Sequence, residues 1–259
     1  MNGPKWLDAF EVADPETGVV DPGGAIGLRQ LDRRRFALAS VIRYREDTGL
    51  ESWFGGHPRF DEIRVVGPAH LPETDLVSVP KPLRWFAGRY GDHTPAALIH
   101  DRFIGIDPAD KPIAEMTDQH ADRYFRFMLH RIGVRWLRRW IMWAAVALRT
   151  RFAARGLRRW TVVAWMVGIL AVVGLCAWAL VTARWGLAWA AAAAPVPMSL
   201  LWGRQLGAGL VAAYVAPVMA PPTLLAIASD ALLWAFEWLV SWFVPESVSG
   251  DAEIRMESL

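Results

Sequence analysis

"WTVVAWMVGILAVVGLCAWALVTA", residues 160–183, carries no charged side chain and lies between Arg159 and Arg184. As a helix rising about 1.5 Å per residue it would extend roughly 36 Å, enough to cross a hydrocarbon core of about 30 Å with some tilt. Trp160, Trp178 and Trp185 sit at or near its ends, where indoles favour the membrane–water interface. The stretch reads as a transmembrane helix spanning about 160–183.

Working outward toward the C-terminus, residues 185–203 and 205–229 are also uncharged. Pro195 and Pro197 interrupt the first, and Pro217, Pro221 and Pro222 the second, a pattern of kinks or re-entrant turns where neighbours satisfy the freed carbonyls. The last apolar run, "ALLWAFEWLVSWFV" (231–244), is short and contains Glu237, which suits an interfacial or bundle-packed helix. A membrane region over 152–245 with two to three spans is expected, followed by an acidic polar tail, 246–259.

Toward the N-terminus, residues 131–159 hold nine arginines and no acid. The positive-inside rule keeps this flank, and the soluble half attached to it, on the cytoplasmic side. The Trp-rich basic segment "VRWLRRWIMWAAVALRTRF" (134–152) is either a helix lying on anionic headgroups or the last helix of the soluble domain. A lipid bilayer is the partner these features select. The formal net charge of +2 is too small to argue for nucleic acid. The single cysteine, Cys176, excludes an internal disulfide framework and a cysteine-rich zinc site. The N-terminus has acids where an export signal needs a basic then an apolar region.

The soluble half, 26–151, reads as a small α+β domain behind a loose Pro-, Gly- and acid-rich arm, 1–25. "FALASVIRYREDTGLESW" (36–53) reads as a strand, an acidic turn and a return, and "DEIRVVGPA" (61–69) as another strand. Three helices follow, at about 94–105, 117–132 (stopped by Gly133) and 134–151. Thr94 and Pro95 mark the start of the first.

That first helix places two polar residues side by side, His100 and Asp101. Neighbouring positions point about 100° apart, so they are expected to serve different contacts. Asp122 follows His100 by 22 residues on the next helix, and a short connection folds the two together. A carboxylate there can accept from one ring nitrogen of His100 and leave the other to take a proton from water. Asp101 is then available to a hard cation, calcium or another divalent ion, together with loop oxygens. In "PETDLVSVP" (72–80), Thr74, Asp75 and Ser78 are the further candidates, Asp75 as a second metal ligand or a turn cap. His93, before the helix start, is the spare histidine. Against these roles stands the ordinary one, a hydrogen-bonded core histidine.

"TDLVSVP", "GRYGDHTPAALIHD", "ADRYF" and "RRWIMWAAVAL" together resemble, in order and spacing over about residues 30–150, a domain-of-unknown-function family common in tailed phages, prophages and bacteria. The sequence departs from that pattern at Val77, where the family has Ala, and in an inserted Asp92–His93. The resemblance implies a phage, prophage or bacterial protein; the apolar half, which is not part of the family's pattern, adds the expectation of a bacterial inner membrane, with virion association, and of a homo-oligomer or another phage or membrane protein as a second class of partner. The His-Asp pair and later Asp are also similar to the secreted phospholipases of the A-two class. That likeness implies a base at His100, a calcium ligand at Asp101 and an orienting carboxylate at Asp122. Ile104 stands where those enzymes have tyrosine, and no Gly-rich calcium loop precedes the helix. Two readings follow: a membrane-anchored, metal-dependent hydrolase of lipid or ester substrates, or a non-catalytic phage membrane protein (lysis, superinfection or genome entry). A third, a His-Asp phosphohydrolase using His70, His100 and Asp101, requires an all-helical setting that the strands oppose.

Overall fold

The computed structural model describes residues 9–31, 35–45, 65–74, 91–104 and 118–242 of the chain. It is mixed α+β, with two small sheets preceding the helices. The chain divides into two compact units, Met1–Pro217 and Val218–Leu259.

The first sheet is built from β1 (Phe10–Ala13), β4 (Val41–Tyr44) and β5 (Val65–Val66) in the order β1-β4-β5, each pair antiparallel. Period-two alternation sets its faces. Phe10, Val12, Ile42 and Tyr44 point into the core, and Phe10 meets Tyr44 edge-to-face at 5.0 Å. On the other face Glu11 and Arg43, directly opposed, form a 3.1 Å ion pair. β2 (Leu28–Gln30) and β3 (Phe36–Leu38) form the second sheet. The segment read as one strand from residue 36 is thus two strands, parted at Ala39–Ser40 and belonging to different sheets. β1 lies inside the stretch read as a loose arm, held by its pairing with β4 across an interval the local pattern does not reveal.

Helix α1 (Thr94–Phe103) is buried on nearly every side, and the Arg102 guanidinium donates to the Val65 carbonyl of β5. His93 is its N-cap residue; the Thr94 hydroxyl accepts from the Gly91 amide at 3.0 Å instead of capping the helix. Helix α2 (Asp118–Arg131) buries Ala121, Asp122, Tyr124, Phe125, Met128 and Leu129, the i, i+3, i+4, i+7 stripe of a helix with one face inward. Gly133, at φ 77°, ends the turn beyond it while the Val134 amide reaches back to the Leu129 carbonyl at 3.0 Å. These residues share one core with the β1-β4-β5 sheet.

Helix α3 (Trp136–Ala153) continues that core through Met142 and opens a second. Trp143, Ala144 and Ala147 cluster with Val162, Trp165 and Ile169 of α4 (Leu157–Val181) and with Trp202, Ala208 and Ala213. Packing therefore runs unbroken across residue 152. Trp136 and Leu137, at the start of α3, are exposed, whereas Trp143 is buried. Arg126 of α2 lies over the rings of Trp140 and Trp143, at 4.6 and 4.1 Å. After α4 come α5 (Trp185–Ala193), α6 (Pro195–Met198), a 3-10 helix (Ser199–Gln205) and α7 (Leu206–Ser241). Two helical stretches, Leu157–Val181 and Trp185–Ser241, are long and apolar enough to cross a membrane by length and composition, with mean hydropathies of 2.3 and 1.8.

Three glycines in this region are tightly faced, Gly168, Gly207 and Gly209, and the first and last of them contrast. A Cβ on Gly209 would lie 2.6 Å from the ring of Trp202, which is buried, whereas one on Gly168 would meet only the methyl end of Met198, at 2.5 Å. A terminal methyl can swing away; a buried indole cannot. Gly209→Ala is expected to lower unfolding stability by about 1–3 kcal/mol through overpacking. Gly168→Ala should be close to neutral, because the gain in helix propensity, up to about 1 kcal/mol, offsets the displaced methyl. Thermal melts of the two full-length variants side by side check the contrast; equal losses would contradict it.

Candidate functional site

The centre of the site is a carboxylate with no exposed surface. Asp122, on the inward stripe of α2, is fully buried. Its Oδ1 lies 3.1 Å from His100 Nε2 and accepts from the Thr150 hydroxyl at 3.0 Å. Its Oδ2 accepts from Gln205 Nε2 at 2.9 Å. The donors come from α1, α3 and the 3-10 helix. A second layer holds the amide: Arg151 Nε donates to Gln205 Oε1 at 2.8 Å, another Arg151 nitrogen donates to the Trp202 carbonyl, and the guanidinium lies 4.9 Å from the Trp202 ring centre.

His100 is buried and rests against Phe125, with ring centres 5.1 Å apart. With Asp122 accepting at Nε2, the neutral ring carries its proton there and presents the Nδ1 lone pair. The Asp101 carboxylate is 3.9 Å from Nδ1. Asp101 thus turns toward the same ring as Asp122, contrary to the expectation that neighbouring positions serve separate contacts. The 100° step separates the Cβ directions, but Nδ1 sits near its own backbone, within reach of the next side chain. Asp101 Oδ2 also accepts from the Thr74 hydroxyl at 3.3 Å. Thr74 is brought there by a two-bond backbone bridge to Phe36 at the start of β3, of 2.8 and 2.9 Å.

Burial disfavours the charged form of His100, and the hydrogen bonds and charges of Asp101 and Asp122 favour it; the carboxylates prevail, so the ring titrates above its usual range. Arg151 is held below the usual arginine range, first by burial and then by Arg158, with Asp122 acting in the opposite sense. It is one of the nine arginines read as a positive-inside flank, yet it is buried, because Gln205 and the Trp202 carbonyl satisfy it.

Of the residues singled out in the sequence, the structure brings His100, Asp101, Asp122 and Thr74 together. His93 is buried at the start of α1. Asp75 and Ser78 lie outside the described residues. Asp101, expected as a cation ligand, has 22% of its side chain exposed. Among the described residues no three or more His, Cys, Asp or Glu side chains gather to hold a metal. Sequence reasoning missed Thr150, Arg151 and Gln205. The available signal was Gln205 itself, an amide in an almost wholly apolar run, which must find a partner when buried.

Residues 62–146 match the model of a family described as "Protein of unknown function (DUF1353)". The match takes in α1 and α2 and ends inside α3, so Thr74, His100, Asp101 and Asp122 fall within it, while Thr150, Arg151, Trp202 and Gln205 fall beyond it. No curated protein and no solved structure matches the chain.

The raised titration of His100 has a consequence for stability. Its folded value exceeds the ordinary value of 6.5, so protonation favours the folded state. The contribution is complete below the ordinary value and disappears as pH climbs through the raised one. Wild-type protein is therefore expected to lose melting temperature over that interval, and His100→Gln to lack this component. Melts from pH 5 to 9 in one detergent check it; parallel curves for the two proteins would refute it.

Proposed function

We propose that the chain is a membrane-anchored hydrolase of lipid or ester substrates in which His100 is the general base and Asp122 its orienting partner. The observation that carries this reading is the 3.1 Å contact between His100 Nε2 and a fully buried Asp122 carboxylate, which sets the tautomer a base requires. Water beside Nδ1 gives up a proton to the ring as its oxygen bonds to the ester carbonyl carbon. The resulting oxyanion then collapses, the acyl–oxygen bond breaks, and the imidazolium returns the proton to the departing alkoxide. The products are a carboxylic acid and an alcohol. Asp101, 3.9 Å from Nδ1, opposes the positive ring while it exists and is the ligand a divalent cation would meet.

The anchor in this reading is the pair of long apolar helices, of whose most hydropathic windows only 22% and 6% is buried. Surface of that kind is suited to lipid rather than water. The arginine-rich flank would keep the site on the cytoplasmic face of a bacterial inner membrane. Residues 26–151, 152–245 and 246–259 remain the proposed soluble domain, membrane region and tail, with β1 joined to the soluble domain by its pairing with β4.

One observation favours a second reading. His100 is 6% exposed and packed on Phe125, as a structural histidine would be. The chain would then be a non-catalytic phage or prophage membrane protein, with the motifs serving the fold.

Fatty-acid release from phosphatidylglycerol–phosphatidylethanolamine vesicles separates the two. The purified full chain is expected to release fatty acid in calcium and less with chelator. His100→Ala should lower the rate by at least about 100-fold. Release by wild type should rise with pH through the raised His100 titration, because the base must be neutral. No release in either condition, or an unaffected His100→Ala, would sink the hydrolase reading.

A further inference from the structure

Asp122 is a carboxylate whose freedom has been removed from both ends. Oδ1 is shared by His100 and Thr150, and Oδ2 is occupied by Gln205, so rotation of the carboxylate would break bonds on either side. The Gln205 amide has one workable orientation. Reversed, it would set a carbonyl oxygen against the carboxylate and an NH2 against the Arg151 N–H, and both contacts would repel. Arg151 is fixed in turn by the Trp202 carbonyl and ring. Gln205 and Trp202 lie on a short 3-10 helix in the apolar region, 83 residues beyond Asp122 in the case of Gln205. Gln205, like Asp122, is fully buried. Neither Thr150 nor Gln205 lies within the 62–146 family match.

We propose that Thr150 and Gln205 are positioning residues for the His100–Asp122 pair, so that the pair is set only when the 3-10 helix Ser199–Gln205 is seated against α2 and α3. The inference rests on the reading of His100 and Asp122 as a proton-transfer pair. It makes the apolar region part of the site as well as its anchor. A purely structural role, in which the donors only compensate a buried charge, differs in one respect: their removal would lower stability and leave the His100 ring as it was.

The test is NMR of the His100 ring in the full-length chain in detergent micelles, with 15N-labelled histidine. The groups that face the ring network are Asp101 from α1, Asp122 from α2 and Arg151 from α3. Wild type is expected to show the neutral tautomer protonated at Nε2. In Gln205→Leu and in Thr150→Val the carboxylate is freed on one side. The neutral-ring tautomers should mix, with a resolved share of the ring protonated at Nδ1. Thr150→Ser keeps the hydroxyl and should behave as wild type. A neutral ring still protonated at Nε2 alone in Gln205→Leu and in Thr150→Val overturns the proposal. If Gln205→Leu does not fold, Thr150→Val decides by the same readout, and a neutral ring still protonated at Nε2 alone overturns the proposal. These readouts need no turnover, so a wild type that cleaves no lipid overturns the hydrolase reading alone.

Discussion

Burying the Asp122 charge is the constraint on which the rest of the arrangement depends. Taking a carboxylate out of water costs on the order of several kcal/mol unless its lone pairs are filled. Here they are filled by groups that no single helix supplies: an imidazole from α1, a hydroxyl from α3 and an amide from the 3-10 helix. The surrounding contacts are Ala, Leu, Met, Phe and Trp surfaces, whose attraction is non-directional. Hydrogen bonds at 2.9–3.1 Å fix direction as well as distance. The network therefore fixes how the elements register against one another, while the apolar clusters supply most of the driving force.

Helix α3 is the shared wall that makes this possible. Met142 belongs to the core built on the sheet, whereas Trp143, Ala144 and Ala147 belong to the cluster with α4 and Trp202. One turn further on, Thr150 and Arg151 are the polar closing residues of the same helix. Small residues at 144 and 147 admit the neighbouring helices closely, and Gly209 does the same for the Trp202 indole. Trp202 in turn gives Arg151 both a carbonyl acceptor and a ring face. An arginine buried in apolar surroundings is tolerable there because its donors have fixed acceptors and its plane can stack.

The helices were legible in the sequence because their ends carry local chemistry. Thr94–Pro95 and Gly133 mark the boundaries found at α1 and α2 to within one or two residues, and the unbroken apolar residues of 160–183 mark those of α4 to within three. The strands were less so. β1 is four residues long and β5 two, and what holds them is pairing with β4 from far along the chain, which no local period announces. The His100–Asp122 contact could be anticipated, since it needs only two consecutive helices folded together. Thr150 and Gln205 could not, because their place depends on how α3 and the 3-10 helix return to α2. An arginine in an arginine run looks solvated until the acceptors that bury it are known. The apposition of Asp101 to the His100 ring was hidden by reasoning from Cβ direction alone.

This architecture bears on what a fragment of the chain can represent. A piece ending near residue 156 would keep β1 to β5 and α1 to α3, including His100, Asp101, Asp122, Thr150 and Arg151. It would look complete by motif. It would, however, remove the donor on Asp122 Oδ2 and both acceptors of Arg151, leaving an under-bonded carboxylate near an arginine without its partners. Breaking such a pair on one side is costlier than never having buried it, and the cheapest relief is for Asp122 and Arg151 to turn toward each other or toward water. Either movement takes Asp122 away from His100. Such a fragment would therefore alter the very contact that gives His100 its character, and chemistry assigned to the family-matched region has to be judged in a chain that includes Gln205.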